Sequence, residues 1–252
     1  MTPEETTKLV LRSALKVPGV KIDREEFLEK ELKNYCDESE VEMAIKLSPQ
    51  KAGISKKLID KISDICINYE TNKVSLISGG TGLFGGWALA VTIPTDVAQY
   101  FAHVMRIAQK LAYLHGWKQV DNIEEDLNSE SANELLIFIA VMMGVGGIGS
   151  NVASLASKIA ANNGLKFLFK GLWKNATFKI IQQILKRMGI IINQTILSRA
   201  ASKVIPVIGG FISGGLTYVT FKPMCKRLKE ALSKKVDDIE DAEILRKIEE
   251  DQ

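Results

Sequence analysis

The chain has 252 residues, 46% of them hydrophobic and 25% charged, with a formal net charge of +3. Those averages belong to a folded globular protein and exclude a disordered tail, a collagen-like fibre and a small disulfide-stapled scaffold. They carry more charge than a many-span membrane transporter would, and the length suits one large domain or two small ones.

Over the first seventy residues, charged and apolar residues alternate at three- and four-residue spacing, which predicts amphipathic helices. Phe27, Leu28, Leu32 and Tyr35 make one stripe, and Leu58, Ile59, Ile62, Ile65 and Cys66 make another. Pro18-Gly19 and Ser48-Pro49 punctuate between them. No apolar run follows the acidic start Met1-Thr2-Pro3-Glu4-Glu5, so a secretory signal is not expected.

From Val74 to Thr95 the chain carries no charge for 22 residues. Ser78, Gly82, Gly86 and Ala90 recur every four positions, a glycine-zipper spacing that lets a second helix approach closely. Gly80 to Gly85 fits the pattern G-x-G-x-x-G. No strand of a βαβ unit precedes it, so a nucleotide-binding reading does not follow.

After Pro94 the pattern sharpens. Val97, Tyr100, Phe101, Val104, Ile107, Ala108 and Leu111 form an apolar helical face, and Asp96, Gln99, His103, Arg106 and Lys110 run opposite it. Asp96 lies at the helix start, where a carboxylate caps free amides and complements the dipole. The expectation is a cap plus a solvated face. The alternative is a polar site formed by Asp96, His103 and Arg106 at the mouth of an apolar bundle.

Two more uncharged runs follow, Leu135 to Ser157 and Val204 to Phe221, 23 and 18 residues long. Gly149, Ala153, Ser157 and Ala161 are four apart in and after the first; Gly210 and Gly214 follow Pro206 in the second. A membrane-spanning helix needs about 20 apolar residues. In water each glycine costs a helix interior about 1 kcal/mol relative to alanine. The runs therefore fit buried bundle helices or membrane-inserting hairpins better than full spans.

Between these runs lies a basic amphipathic stretch, Lys166 to Met188. Lys166, Lys170 and Lys174 share one helical face, Phe167, Phe169 and Trp173 lie among aliphatic residues on the rest, and Lys186-Arg187 closes it. An interfacial helix uses such a pattern: rings settle at the headgroup level, and each basic charge adds about 1 kcal/mol near an anionic leaflet. A core helix whose lysines face water fits the same residues. Basic charge alone would also serve nucleic acid, but no zinc-finger or RNA-sheet motif accompanies it, so nucleic acid is not the expected partner. The last segment, 226–252, reads as a charged helix with Leu228, Leu232, Val236 and Ile239 as its apolar positions.

No segment alternates at period two for long enough to demand a sheet. The expected fold is all-α: a helical bundle with central Gly-rich apolar helices surrounded by charged amphipathic helices. It forms a single domain over 1–252, with charged N-terminal helices at 1–48 and the charged C-terminal helix at 226–252.

Charge is sorted along this chain. From Leu135 to Lys229 there is no Asp or Glu, yet 13 of the 33 basic residues fall there; the remaining 20 share the flanks with all 30 acidic residues. Such asymmetry suggests an anionic partner, or partial neutralisation of the centre by its own frame.

Little else in the chain carries chemistry. His103 and His115 are its two histidines, and no nucleophile elbow, zinc-protease helix or phosphate-cradling loop occurs. Glu124, Glu125 and Asp126 read as solvated acids rather than a metal site. Cys36, Cys66 and Cys225 lack metal or disulfide spacing and read as reduced thiols of a cytosolic protein. Neither enzymatic activity, nor a cofactor, nor a metal is expected.

The block Ser75 to Gly86, the step Pro94-Thr95-Asp96, the segment Arg106-Ile107-Ala108 and the end Tyr113-Leu114-His115-Gly116-Trp117 together resemble the core of the EcsC family. Its members share a Gly-rich turn region, a Pro-x-Asp step, an Arg-bearing helix and a Tyr-Gly-aromatic end. Ile205-Pro206-Val207-Ile208-Gly209-Gly210 is similar to the family's second signature, and the resemblance spans about residues 50–232. Leu114-His115 is inserted where the family joins Tyr directly to Gly. The family is named for a protein encoded beside a two-component ABC exporter. The resemblance implies a helical, membrane-linked accessory role and marks Pro94, Asp96, Arg106, Pro206 and Gly209 as signature positions.

The expected function is binding of anionic membrane lipid at the cytoplasmic face, peripheral and non-enzymatic, as an accessory to a membrane transport system. Alternatives are a membrane-permeabilising effector built from Gly-rich hairpins and a soluble scaffold for a partner protein. A membrane protein and a second copy of the chain are further candidate partners.

Overall fold

The computed structural model describes residues 2–79, 95–120, 130–144, 186 and 209–233. Among the described residues there are seven helices longer than a turn and no strand, an all-α helical bundle. In chain order they are α1 (Pro3–Leu15), α2 (Arg24–Leu32), α3 (Glu38–Lys46), α4 (Lys56–Gly79), α5 (Thr95–Leu114), α6 (Glu130–Met142) and α7 (Gly209–Ser233).

The short N-terminal helices start on local chemistry. Thr2 and Glu5 form a reciprocal capping box at α1, with Pro3 in the first turn, and Asp37 and Glu40 form another at α3. Asp23 accepts from the Glu26 amide at the head of α2, and the Ser55 hydroxyl accepts from the Leu58 amide at the head of α4. Each cap satisfies an amide that the first turn leaves without a partner.

α5 is the centre. It packs against α1, α2, α4, α6 and α7, while α7 lies along α4. With neighbours on so many sides α5 buries both of its faces: Val97, Phe101, Val104, Ile107 and Leu111, and also His103, Gln109 and Lys110. The solvated polar face expected for this helix is therefore overturned at His103 and Lys110. α5 contains no glycine. The Gly-rich runs enter the described core at Val74 of α4, along α6 with Leu135–Met142 mostly buried, and at Phe221 of α7. The remainder of those runs lies outside the described residues. Lys226, the expected start of a charged C-terminal helix, lies well inside α7.

The end of α5 is closed by Leu114, His115 and Gly116. Gly116, at φ +90°, allows the Trp117 amide to donate to the Ala112 carbonyl and its own amide to the Tyr113 carbonyl, a Schellman stop. Leu114 completes the helix and His115 caps it, so Tyr113 and Trp117 both point into the core. Trp117 meets Phe138 of α6 edge-on, with ring centroids 4.6 Å apart. Among the described residues no helix is long and apolar enough to cross a membrane.

Buried Arg24 ties the N-terminal helices to this end. Its guanidinium donates to the carbonyls of Ala44 and Ile45 in the last turn of α3, and to that of Trp117 just past α5. A cation suits a helix C-terminus, and one rigid fork serves three acceptors that a lysine cannot. Arg24→Lys should lower the stability measured by urea unfolding by about 2 kcal/mol, because buried carbonyls lose their donors; an unchanged midpoint would contradict the assignment.

Candidate functional site: a buried carboxylate clamped by histidine, arginine and lysine

On α4 the buried stripe runs Ile59, Ile62, Ser63, Cys66, Ile67, Glu70, Thr71 and Val74. Glu70 occupies an apolar-stripe position, and its side chain is 0% exposed. An isolated carboxylate there would cost far more than the helix contact returns. α5 supplies the compensation: Lys110 Nζ donates to Oε1 at 2.7 Å, Arg106 Nε reaches the same oxygen at 3.4 Å, and His103 Nδ1 lies 2.8 Å from Oε2. Residues 103, 106 and 110 are spaced to fall on one helical face, so a single stripe of α5 delivers all three.

Burial pushes the Glu70 carboxyl up, but the His103 hydrogen bond, the charge and hydrogen bond of Lys110 and the charge of Arg106 together outweigh it and hold it down at about 2. Glu70 is thus an anion at neutral pH. An ionised carboxylate only accepts, so His103 Nδ1 carries the proton between them. An acid this strong is a poor general base, and the arrangement works as an electrostatic clamp rather than a proton-transfer centre.

The same face of α5 grips the loop between α1 and α2. Arg106 Nη1 donates to the Gly19 carbonyl, and Gln109 accepts from the Ile22 amide while donating to the Val20 carbonyl at 2.9 Å. Tyr113 Oη donates to the Ile22 carbonyl and accepts from the Val120 amide. Gly19 has φ +73°, which favours glycine, and a Cβ there would sit 2.9 Å from Arg106 Nη1 and push the guanidinium off the Gly19 carbonyl. Lys110 also lies 5.4 Å from the Tyr69 ring centroid and 5.9 Å from that of Phe27, so two aromatic faces share its charge.

Of the polar stripe, the structure brings His103, Arg106 and Lys110 together. Asp96 is in the first turn of α5, and Gly209 opens α7. Lys186 is helical and exposed. Pro94, Pro206 and the interfacial candidates Lys166, Phe167, Phe169, Lys170, Trp173, Lys174 and Arg187 lie outside the described residues. Lys229 of the basic centre pairs with Asp64 of its frame at 2.8 Å, and Arg227 donates to the Met142 carbonyl at the end of α6. Sequence reasoning missed Glu70, Gln109 and Arg24. Glu70 had one signal, a carboxylate at apolar-stripe spacing from Cys66 and Ile67.

The three cysteines are free thiols. Burial pushes Cys66 up to about 12 and raises Cys225 as well, which keeps both protonated and unreactive.

Fold and site together define a helical bundle closed around a cation-clamped internal carboxylate. Comparison with family models, characterised proteins and solved structures yields no match for this chain.

Glu70 and His115 set the acid response. Burial holds His115 down at about 4 from 6.5, and Glu70 sits at about 2 against 4.5. Both bind fewer protons folded than unfolded, so stability falls as pH falls, between 6.5 and 4 for His115 and between 4.5 and 2 for Glu70. Each shift corresponds to roughly 3 kcal/mol. Glu70→Gln should therefore be destabilised by about 3 kcal/mol at pH 7 and show a shallower decline below pH 4.5, with the shares of Asp60 and Asp37 remaining. Urea unfolding across pH checks this, and a mutant as acid-sensitive as the wild type would refute it.

Proposed function

We propose that this is a non-enzymatic, peripheral helical protein that binds anionic membrane through its basic centre. The observation that carries the reading is the stretch from Leu135 to Lys229, with 13 basic residues and no carboxylate. Within it the outward side of α7 presents Lys226, Arg227 and a 67% exposed Val219, cationic and apolar groups side by side. Basic side chains concentrate near a negatively charged leaflet, and apolar neighbours add burial at its boundary. The segment Lys166 to Arg187 supplies more of both. The resemblance to the EcsC family adds an accessory role beside a membrane transport system, and the cytoplasmic face is the side where anionic lipid is available to it.

A second reading, a scaffold for a partner protein, draws on the burial of Leu135, Leu136 and Phe138 to Met142, which keeps that part of an apolar run internal.

Vesicle flotation separates them. Binding should increase with the anionic lipid fraction and weaken at high salt. Replacing Lys166, Lys170 and Lys174 with Glu should reduce it more than a hundredfold, since loss of the three basic charges alone is worth about 1 kcal/mol each near the surface, while Glu substitutions beyond residue 233 should leave it unchanged. Indifference of the wild type to both lipid charge and salt would overturn the reading.

A further inference from the structure

We infer that the outward face of α4 is a second membrane-contacting surface, built from Lys61, Ile65, Tyr69, Lys73 and Leu76 and extended by Tyr35, and that it docks on an anionic lipid surface. This inference rests on the reading of the protein as a binder of anionic membrane. It names a face of the fold that the basic centre does not include.

The face follows from where α4 must point. With Glu70 turned inward, Lys61, Ile65, Tyr69 and Lys73, four residues apart, face out with Leu76. Ile65 is 42% exposed, Tyr69 56%, Leu76 76% and Tyr35 43%. At about 100° per residue the five positions span an arc of about 120°, with Lys61 and Lys73 at its edges and Ile65, Leu76 and Tyr69 between them. Lysine at the edge and apolar and aromatic groups in the middle is the order an interfacial helix uses, because ammonium heads stay with the headgroups while stems and rings lie deeper. Lys61 Nζ is 4.9 Å from the Tyr35 centroid and Lys73 Nζ 5.8 Å from that of Tyr69, so each cation already accompanies a ring.

Charge complementarity selects an anionic occupant. Every carboxylate of α4 is engaged: Asp60 by Lys56 at 2.9 Å, Asp64 by Lys229 at 2.8 Å, and Glu70 in the core. Lys57, Lys61 and Lys73 have no carboxylate partner among the described residues, which leaves the exterior of α4 cationic. The helix also leads directly into the first uncharged run, which begins at Val74. Headgroup contact and the chain's first apolar stretch thus lie on one continuous segment.

The test is flotation of the full chain with phosphatidylcholine–phosphatidylserine vesicles, with helical content and unfolding midpoint recorded for each variant. Lys61→Ala with Lys73→Ala should lower the partition coefficient about thirtyfold, and Tyr69→Ser with Leu76→Ser should lower it with little dependence on salt. Lys61, Tyr69 and Leu76 are exposed and Lys73 half-buried, and the unfolding midpoint reads any loss of the Tyr69–Lys110 contact separately from the loss of binding. If both variants float like the wild type while the Lys166, Lys170 and Lys174 charge reversal does not, membrane binding stands and this face is excluded from it. If the wild type does not float, both readings fall. If the α4 variants instead change the oligomeric state and leave flotation unaltered, the face belongs to a second copy of the chain and the inference is overturned.

Discussion

Glu70 is the constraint from which the arrangement of the described helices follows. A carboxylate in an apolar stripe is tolerable only where cations and hydrogen-bond donors meet it, and removing one partner from such a cluster costs more than the cluster contributes net. Lys110, Arg106 and His103 meet Glu70 from one face of α5. That requirement fixes the rotation of both helices about their axes: α4 must turn Glu70 toward α5, and α5 must turn its polar stripe toward α4. Hydrophobic contact is non-directional and would accept neighbouring rotations of an apolar helix. The ion cluster does not.

The rest is arranged around that choice. α5 buries its opposite face against the other helices, while Arg106, Gln109 and Tyr113 hold the loop from Gly19 to Ile22. Arg24 then gathers the end of α3 and the end of α5. The acidic frame and the basic centre meet at Lys229 and Asp64, a pair half open to water whose contribution is small. Of the α4 carboxylates, Asp60 and Asp64 pair with lysines at the surface and Glu70 with cations in the core. The outward side of α4 carries Lys61 and Lys73 beside the exposed Ile65, Tyr69 and Leu76.

Helix content was legible because apolar residues spaced three and four apart line one face of a helix and cannot share one face of a strand. Phe27, Leu28 and Leu32 are buried as their stripe implies. Tyr35 is exposed because α2 ends at Leu32 and the stripe loses its phase in the following turn. On α4 the apolar residues are consistent with two adjacent rotations, and Ile65 belongs to the face that lost. Only the partner of Glu70, on another helix, decides between them. The polar stripe of α5 was legible as a stripe and misleading as a surface. Spacing shows which side chains share a face, but not whether a carboxylate from elsewhere in the chain will cover it. A histidine, an arginine and a lysine on one turn-spaced row, with the stripe's one acid, Asp96, two turns away at the helix start, was the available signal.

A double-mutant cycle between Glu70 and Lys110 tests the central claim most directly. Glu70→Gln, Lys110→Met and the double variant would be unfolded in urea at neutral pH, with the coupling read from the departure from additivity. The clamp predicts a coupling of about 2 kcal/mol, with the double variant more stable than the sum of the single losses. Additivity to within about 0.5 kcal/mol would show that the two groups do not stabilise one another, and would contradict the account of how α4 and α5 are oriented.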